Sequence, residues 1–543
     1  MVFARRSTTL LAAIIASCAM VLSLTACTSD NKTVVDGQTT VTSNSAGGVA
    51  VFTPSDGITL NQQTPLNKWA KLVPDLAKAL ADAGFKKGDI DHTTSDSLDK
   101  QSRAIQDFVV DHLSNNTTDD SGIAIAPDNM TLLVAPVVEA DASTRQYGDY
   151  ISQNLSTNDA TDEGATSDGE SSEDDSSKDD SSNTESDSTA SDEQAQAVDR
   201  LVSSLKLAKE SGMHVVLLGN SIEGYKPDAF VKFSDAQTIG KLQAEKMVSK
   251  LKLDKASKDN PKYIEVLLPY TAMDEKGNAN DSTFAQEAFR GIWQVLGSYY
   301  QKGVVESPSG TLDGKSTEND WQAVAYDAAK EGSTAKVLDK RLAKTDGQST
   351  LTRIDGIITM NDYIASEVVK ELDDLGYTGS AADINPQITI SGIVGNITGK
   401  KDLSRDAVPD PIKSPENDNA NDSSSSDDDA DKDTSASDKD RDSQWPLVTG
   451  YGAYVSNIPS IVNGKQWMTG MEDRQTIATD IAQACAKLNK DEALNSMPSI
   501  RNSEVGGVKK IPTINEPLLA VSAGNLKSAL IDPGYISLAD AGL

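Results

Sequence analysis

Histidine is nearly missing from this chain: His92, His112 and His214 are the only three among 543 residues, and none forms a close ligand pair or an HExxH motif. A metal centre built on paired imidazoles is excluded, and His214, directly before an apolar run, reads as a boundary residue. No GxSxG elbow, Walker A loop or dinucleotide fingerprint stands in a strand-to-helix context. Nothing therefore calls for an enzyme or a cofactor. Positive charge is also short. Lys and Arg total 50 against 82 Asp and Glu, a net charge of -32, and so acidic a surface repels a phosphate backbone. Nucleic-acid binding drops out.

Cysteine is as scarce as histidine. Cys18 lies in an apolar leader and Cys27 directly after it, which leaves Cys485 as the one thiol of the body, so no internal disulfide is expected. In DIAQACAKLNK, Ile481, Cys485 and Leu488 share one helical face, and Cys485 reads as a small buried apolar residue.

The acidic charge is concentrated in two stretches. Ser156 to Ala195 holds 14 acidic residues and one Lys, and Ser414 to Ser443 holds 11 acidic and three basic, together -21 of the total. Both are Ser, Asp, Glu, Asn, Thr, Gly and Ala with scarcely an apolar side chain and no aromatic, a composition that cannot offset the entropy of ordering. They are expected to be disordered acidic insertions. The run Asp427 to Asp429 lacks the Gly and Glu spacing of an EF-hand, so no metal site is expected there.

What is present begins with a leader. Arg5 and Arg6 precede the apolar run Leu10 to Leu24, too short for the usual ~20-residue span, and Leu24-Thr25-Ala26-Cys27 closes it. Residues 1–26 read as a signal peptide whose ending resembles the lipobox of bacterial lipoproteins, which makes Cys27 the expected lipidation site. The polar stretch 27–48 is expected to be a flexible tether. The resulting localisation is the cell membrane, lipid-anchored and facing outward.

From Val49 onward the pattern alternates. A strand at 49–53 is followed by a helix with Leu72, Leu76 and Leu80 on one face, then by a helix carrying Ile105, Phe108, Val109 and Leu113. Strands are expected at 123–126, 132–135 and 215–218. A second block alternates helix 238–252, strand 263–268, helix 284–296, a strand near Val304, helix 321–330, strand 356–359, helix 364–375 and strand 388–390. Continuous apolar strands between amphipathic helices mean parallel sheets covered on both faces, here two α/β lobes with ligand chemistry at the strands' carboxyl ends. Asp235, Asn280 and the pair Asn361-Asp362 follow strands or loops and lead into helices, where Asp and Asn serve equally as hydrogen-bonding groups for a ligand or as helix caps. Trp293 and Trp321 read as core.

The order of motifs resembles the type 1 periplasmic binding proteins, in the xylose and multiple-sugar branch that supplies ABC importers. The segments that carry the resemblance are IAIAP and LLVAP, VKFSDAQTIGKLQAEKMV at 231–248, NANDSTFAQEAFRGIWQVL at 278–296, ITMNDYIASEVVKEL at 358–372, VTGYGA at 448–453, GKQWMTGMEDRQTIA at 464–478 and IPTINEPLLAVSAGNLKSALIDPGY at 511–535. It implies two Rossmann-like lobes joined by a three-crossover hinge: lobe 1 at 49–230, lobe 2 at 231–387, a return to lobe 1 at 388–466, and a C-terminal segment 467–543 that completes lobes and hinge. It also implies a monomer that captures a small polar solute, a carbohydrate first, between the lobes and hands it to a permease. The implied ligand residues are Asp235, Asn280, Asn361 and Asp362, with Trp69 as an aromatic face and Lys68 beside it.

The chain departs from the pattern at several strand ends. Leu218-Gly219-Asn220 stands where sugar binders have Tyr-Asp-Arg, Gly450-Tyr451-Gly452-Ala453 where they have Gly-Gln-Asp-Ala, Ala236 where an Asn follows the Asp, and Glu472-Asp473 where a Lys-Asp pair follows the Met-Thr segment. Loss of charged anchors argues against a xylose-like monosaccharide held in the standard way. Asn220, Tyr451, Glu472 and Asp473 are the expected replacements. The alternative is a sensory or structural surface lipoprotein that keeps the scaffold without transport.

Overall fold

A computed structural model describes residues 32–35, 38–41, 46–55, 65–115, 125–138, 144–157, 185–273, 280–343, 351–382 and 445–543. The signal peptide, Cys27, most of 156–195, all of 414–443 and the expected strand 388–390 lie outside them. The chain divides into a small N-terminal unit, Met1–Asn44, and a large one, Ser45–Leu543. Within the small unit, in the stretch expected to serve as a flexible tether, Lys32–Val35 pairs antiparallel with Gln38–Val41. Both strands are rich in β-branched residues, Thr33 to Val35 and Thr39 to Val41, which favour extended backbone.

Two larger sheets, of seven and four strands, organise the large unit beside several two-stranded pairs. The first orders Ile500–Val505, Val508–Asn515, Ala229–Lys232, His214–Leu218, Met130–Val134, Gly48–Pro54 and Ile90–Ser95, and every pairing but that of the Ile500–Val505 and Val508–Asn515 hairpin is parallel. Its central strands are buried throughout Met130–Val134 and from Val215 to Leu218, which is why they read as apolar runs. Helices α1 (Trp69–Asp82), α2 (Leu98–Asn115) and α3 (Glu185–Glu210) cover it. Since α3 begins at Glu185, the last eleven residues of the first expected insertion are helical and precede the part of α3 whose Val198, Leu201 and Leu205 are buried in the core.

The second sheet is wholly parallel in the order Val305–Glu306, Lys262–Val266, Gly356–Ile358, Leu447–Val448. It is flanked by α4 (Ala236–Leu251), α5 (Thr283–Gln301), α6 (Ser333–Arg341) and α7 (Asp362–Asp374). Helix α6 replaces the one expected at 321–330, where Asp320–Ala323 is a single 3-10 turn and Ala325–Tyr326 a short strand paired with Leu268–Pro269. Trp321 is nonetheless core, as is Trp293. Leu447–Val448 corrects the expected return at 388–466: this strand adds to the edge of the second sheet, because its apolar pair meets Gly356 and Ile357 in register.

The chain leaves the second lobe later, after α8 (Ile458–Val462) and the strand Met468–Met471, to enter α9 (Arg474–Leu488), which packs on α1. Cys485 is buried there and free. Three crossovers, near Ser234, Glu472 and Glu516, thus join two α/β lobes, the architecture that the resemblance implies. Met468–Met471 pairs antiparallel with Leu519–Ser522, and a separate apolar cluster of Ile458, Ile461, Met471, Val521, Leu530 and Tyr535 braces the hinge.

Helices α4 and α5 approach so closely that a Cβ on Gly240 would stand 2.2 Å from the Ala288 carbonyl oxygen, and one on Gly291 2.0 Å from that of Gln237. Gly240→Ala is expected to force the helices apart and cost about 1–3 kcal/mol, although alanine favours helix. Urea unfolding measures it, and an unchanged or raised midpoint would contradict so tight a contact.

Candidate functional site

A cleft of about 420 Å³ opens between the lobes, lined by Thr144, Ile151, Ser152, Gln153 and Asn154 on one side and by Asp235 to Gln237, Asp281, Thr283, Phe284 and Glu287 on the other. The starts of α4 and α5 bring the second set together. Asp235 caps α4: its carboxylate accepts from the Thr238 amide at 2.7 Å and hydroxyl at 2.6 Å, and pairs with Lys232 at 2.8 Å. Burial by itself would raise its pKa, but Lys232 and these hydrogen bonds hold it below the ordinary carboxyl value. Asp281 accepts from the Thr283 amide and hydroxyl, and Glu287 pairs with Arg290. Gln153, Asn154 and Gln237 add amides that both donate and accept, Phe284 an apolar ring.

Of the residues expected from sequence, only Asp235 lines this cleft. Asn280 stands next to it but donates to the Thr271 carbonyl at 2.8 Å, holding the loop before α5. Asn220 donates to Pro136 O and accepts from Gln153 N, both at 2.9 Å, so it positions the cleft wall rather than a ligand. Asp473 caps α9 through Thr476 and accepts from the Tyr535 hydroxyl at 2.9 Å.

The others are buried deeper, on protein partners. Asn361 caps α7 through the Ile364 amide at 2.9 Å and donates to Gln146 Oε1 at 3.1 Å. Asp362 has no exposed surface; it accepts from Gln466 Nε2 at 2.7 Å, Thr469 Oγ1 at 2.8 Å and the Tyr454 amide at 2.9 Å, and burial pushes its pKa up to about 6. Trp69 packs edge-on against Tyr150 and Phe233, at centroid distances of 5.1 and 5.5 Å, and Lys68 forms an ion pair with Asp149 at 2.7 Å.

Tyr451 and Glu472 belong to the hinge. The Ser234 amide, on the first crossover, donates to Glu472 Oε1 at 2.6 Å on the second, and the Ser234 and Tyr451 hydroxyls are hydrogen-bonded to each other. Burial raises the Glu472 carboxyl to about 7 and the Tyr451 phenol well above its ordinary value. The lining residues missed in sequence, Gln153, Asn154 and Glu287 above all, carry no signal of their own: one follows an irregular loop and another sits a turn inside a helix. Among the described residues no group of three or more His, Cys, Asp or Glu is placed to hold a metal, and no helix is long and apolar enough to cross a membrane.

No protein-family model matches the chain, and no curated protein matches it. Among solved structures it is similar to an ABC transporter solute-binding protein from Clostridium phytofermentans with bound β-D-glucose, at 17% identity over 91% of this chain and 99% of that one, with a TM-score of 0.44. It is similar also to a carbohydrate transporter solute-binding protein from Chloroflexus aurantiacus in complex with D-glucose, at 17% identity, 92% and 98% coverage and a TM-score of 0.42. A third is an ABC transporter periplasmic solute-binding protein from Actinobacillus succinogenes with bound D-allose, at 10% identity, 89% and 99% coverage and a TM-score of 0.39.

Proposed function

We propose that this chain is a lipid-anchored receptor that takes a small, hydroxyl-rich solute, a sugar or oligosaccharide, into the cleft between its lobes and delivers it to an ABC importer. The observation that carries the reading is the cleft: about 420 Å³, within the usual range for ligand pockets, with walls from both lobes. Its chemistry fits a polyol. Carboxylates at Asp235, Asp281 and Glu287 accept from hydroxyls, the amides of Gln153, Asn154 and Gln237 do both, and Phe284 offers a face to the C–H side of a sugar ring.

Calorimetry of the mature chain against mono- and oligosaccharides tests it. Gln153→Ala and Glu287→Ala are each expected to cost about 1–3 kcal/mol in binding, several-fold to roughly a hundredfold in Kd. Asp235→Ala is less diagnostic because it also removes a helix cap. Absence of binding by every sugar, or binding untouched by both substitutions, rejects the reading.

The anchor is a separate part of the proposal, supported by the lipobox-like Leu24-Thr25-Ala26-Cys27. Cys27→Ser is expected to move the protein from the membrane fraction to the soluble one, since a single lipidated terminus would be its hold on the bilayer. Retention in the membrane fraction would refute it. A second reading, a surface lipoprotein that keeps the two lobes without transport, is favoured by the contacts that the chain itself makes between the lobes.

A further inference from the structure

The crevice outside the carboxyl ends of the strands is where an open α/β sheet ordinarily receives its ligand. In this chain it holds a piece of the chain. Residues Gln146 to Ile151 pass between the lobes, and within that short stretch Tyr147 and Ile151 belong to the apolar cluster of the second lobe while Tyr150 belongs to that of the first. Toward the second lobe, Gln146 accepts from Asn361 through its side chain and from the Tyr454 hydroxyl through its carbonyl at 2.7 Å, and the Tyr147 ring lies 4.7 Å from Phe284 and 6.2 Å from Tyr451. Toward the first, Asp149 takes Lys68 Nζ and the Trp69 amide, and the Tyr150 hydroxyl donates to Lys68 O at 2.6 Å.

The segment is shaped for this place. Gly148 has φ +94°, and a Cβ there would stand 2.5 Å from the Asn67 carbonyl oxygen, so glycine alone turns the backbone between the two tyrosines. Each tyrosine is only 1% exposed, which takes roughly 150–250 Å² of each ring out of water. Four of the side chains expected to grip a solute, Lys68, Trp69, Asn361 and Tyr451, meet this segment.

We propose that Gln146–Tyr150 is a tethered occupant of the inner crevice: it takes the contacts a solute would make there, holds the lobes together without one, and confines any solute to the outer cleft. Being part of the chain, it acts at the millimolar effective concentration of a short tether, against which a free solute must compete. The inference concerns the same cleft as the proposed receptor but stands without it, because it is tested in the absence of solute.

Hydrogen exchange on the full chain reads it. The amides of Asp149 and Ser152 donate to Asn67 O and Ser234 O. The peptide covering 145–152 is expected to exchange about as slowly as the core strand His214–Leu218 without any added sugar. Gly148→Val is expected to speed exchange in that peptide at least tenfold, leave Lys262–Val266 unchanged, and raise the radius of gyration in small-angle scattering as the lobes part. Fast exchange of 145–152 in the unsubstituted protein overturns the proposal even if the variant fails to fold. So does faster exchange on addition of D-glucose or maltose, which would make the segment a displaceable lid. Failure to bind any sugar would sink the receptor reading and leave this one standing.

Discussion

Asp362→Ala is expected to destabilise the solute-free protein by at least about 1–3 kcal/mol, the cost of leaving a buried donor without its acceptor. The carboxylate heads α7, and the side chains that meet it come from elsewhere: Thr469 from the strand Met468–Met471 and Gln466 just before it, with the Tyr454 amide from the turn before α8. Alanine takes the acceptor from the buried Tyr454 amide and leaves Gln466 Nε2 and Thr469 Oγ1 with only the Met468 and Gly470 carbonyls, at 3.1 and 3.4 Å. Chemical unfolding without ligand is the measurement. An unchanged midpoint combined with lost sugar binding would restore Asp362 as a ligand residue.

Glu472→Gln should stabilise the protein increasingly as pH rises. The folded carboxyl is raised by burial from an ordinary 4.5 to about 7, so folding favours the protonated form. Its contribution is full below the unfolded value and is lost as pH climbs from 4.5 through 7, because there the unfolded chain releases a proton that the folded one retains. Glutamine cannot titrate. Its advantage over glutamate is therefore expected to grow across that window to the order of 3 kcal/mol, while its carbonyl still accepts from the Ser234 amide. Unfolding midpoints of the two proteins at pH 5 and pH 8 measure it, and a gap that is the same at both would show that Glu472 ionises without penalty.

The elements with an apolar period were legible in the chain, since Leu72, Leu76 and Leu80 or Val215 to Leu218 declare both their type and their burial. Ile90–Ser95 escaped because it is an edge strand, its inner residues Asp91 to Thr94 largely exposed. Helix α6 escaped because its nine residues include four charged ones. The site was legible only as a region. Asp235, Asn361 and Asp473 do stand at helix starts, where each serves as a cap and only Asp235 also lines the cleft, and sequence cannot separate that use from ligand contact. Nor can it foresee that a loop of ordinary composition around Gly148 reaches both lobes.

The three crossovers also set an order of assembly. Every strand of the second sheet and all its helices come from the continuous stretch Ala236 to Val462, whereas the first sheet lacks its strand Val508–Asn515, partner of Ala229–Lys232, until the chain is nearly finished. The lobe that comes second in the chain can complete itself from local contacts, and the lobe that comes first must wait with an open edge at Ala229–Lys232 for residues almost 300 positions away. A chain interrupted before residue 500 would thus present one finished lobe and one unpaired apolar edge, which makes the C-terminus the step that commits the whole molecule to its native state.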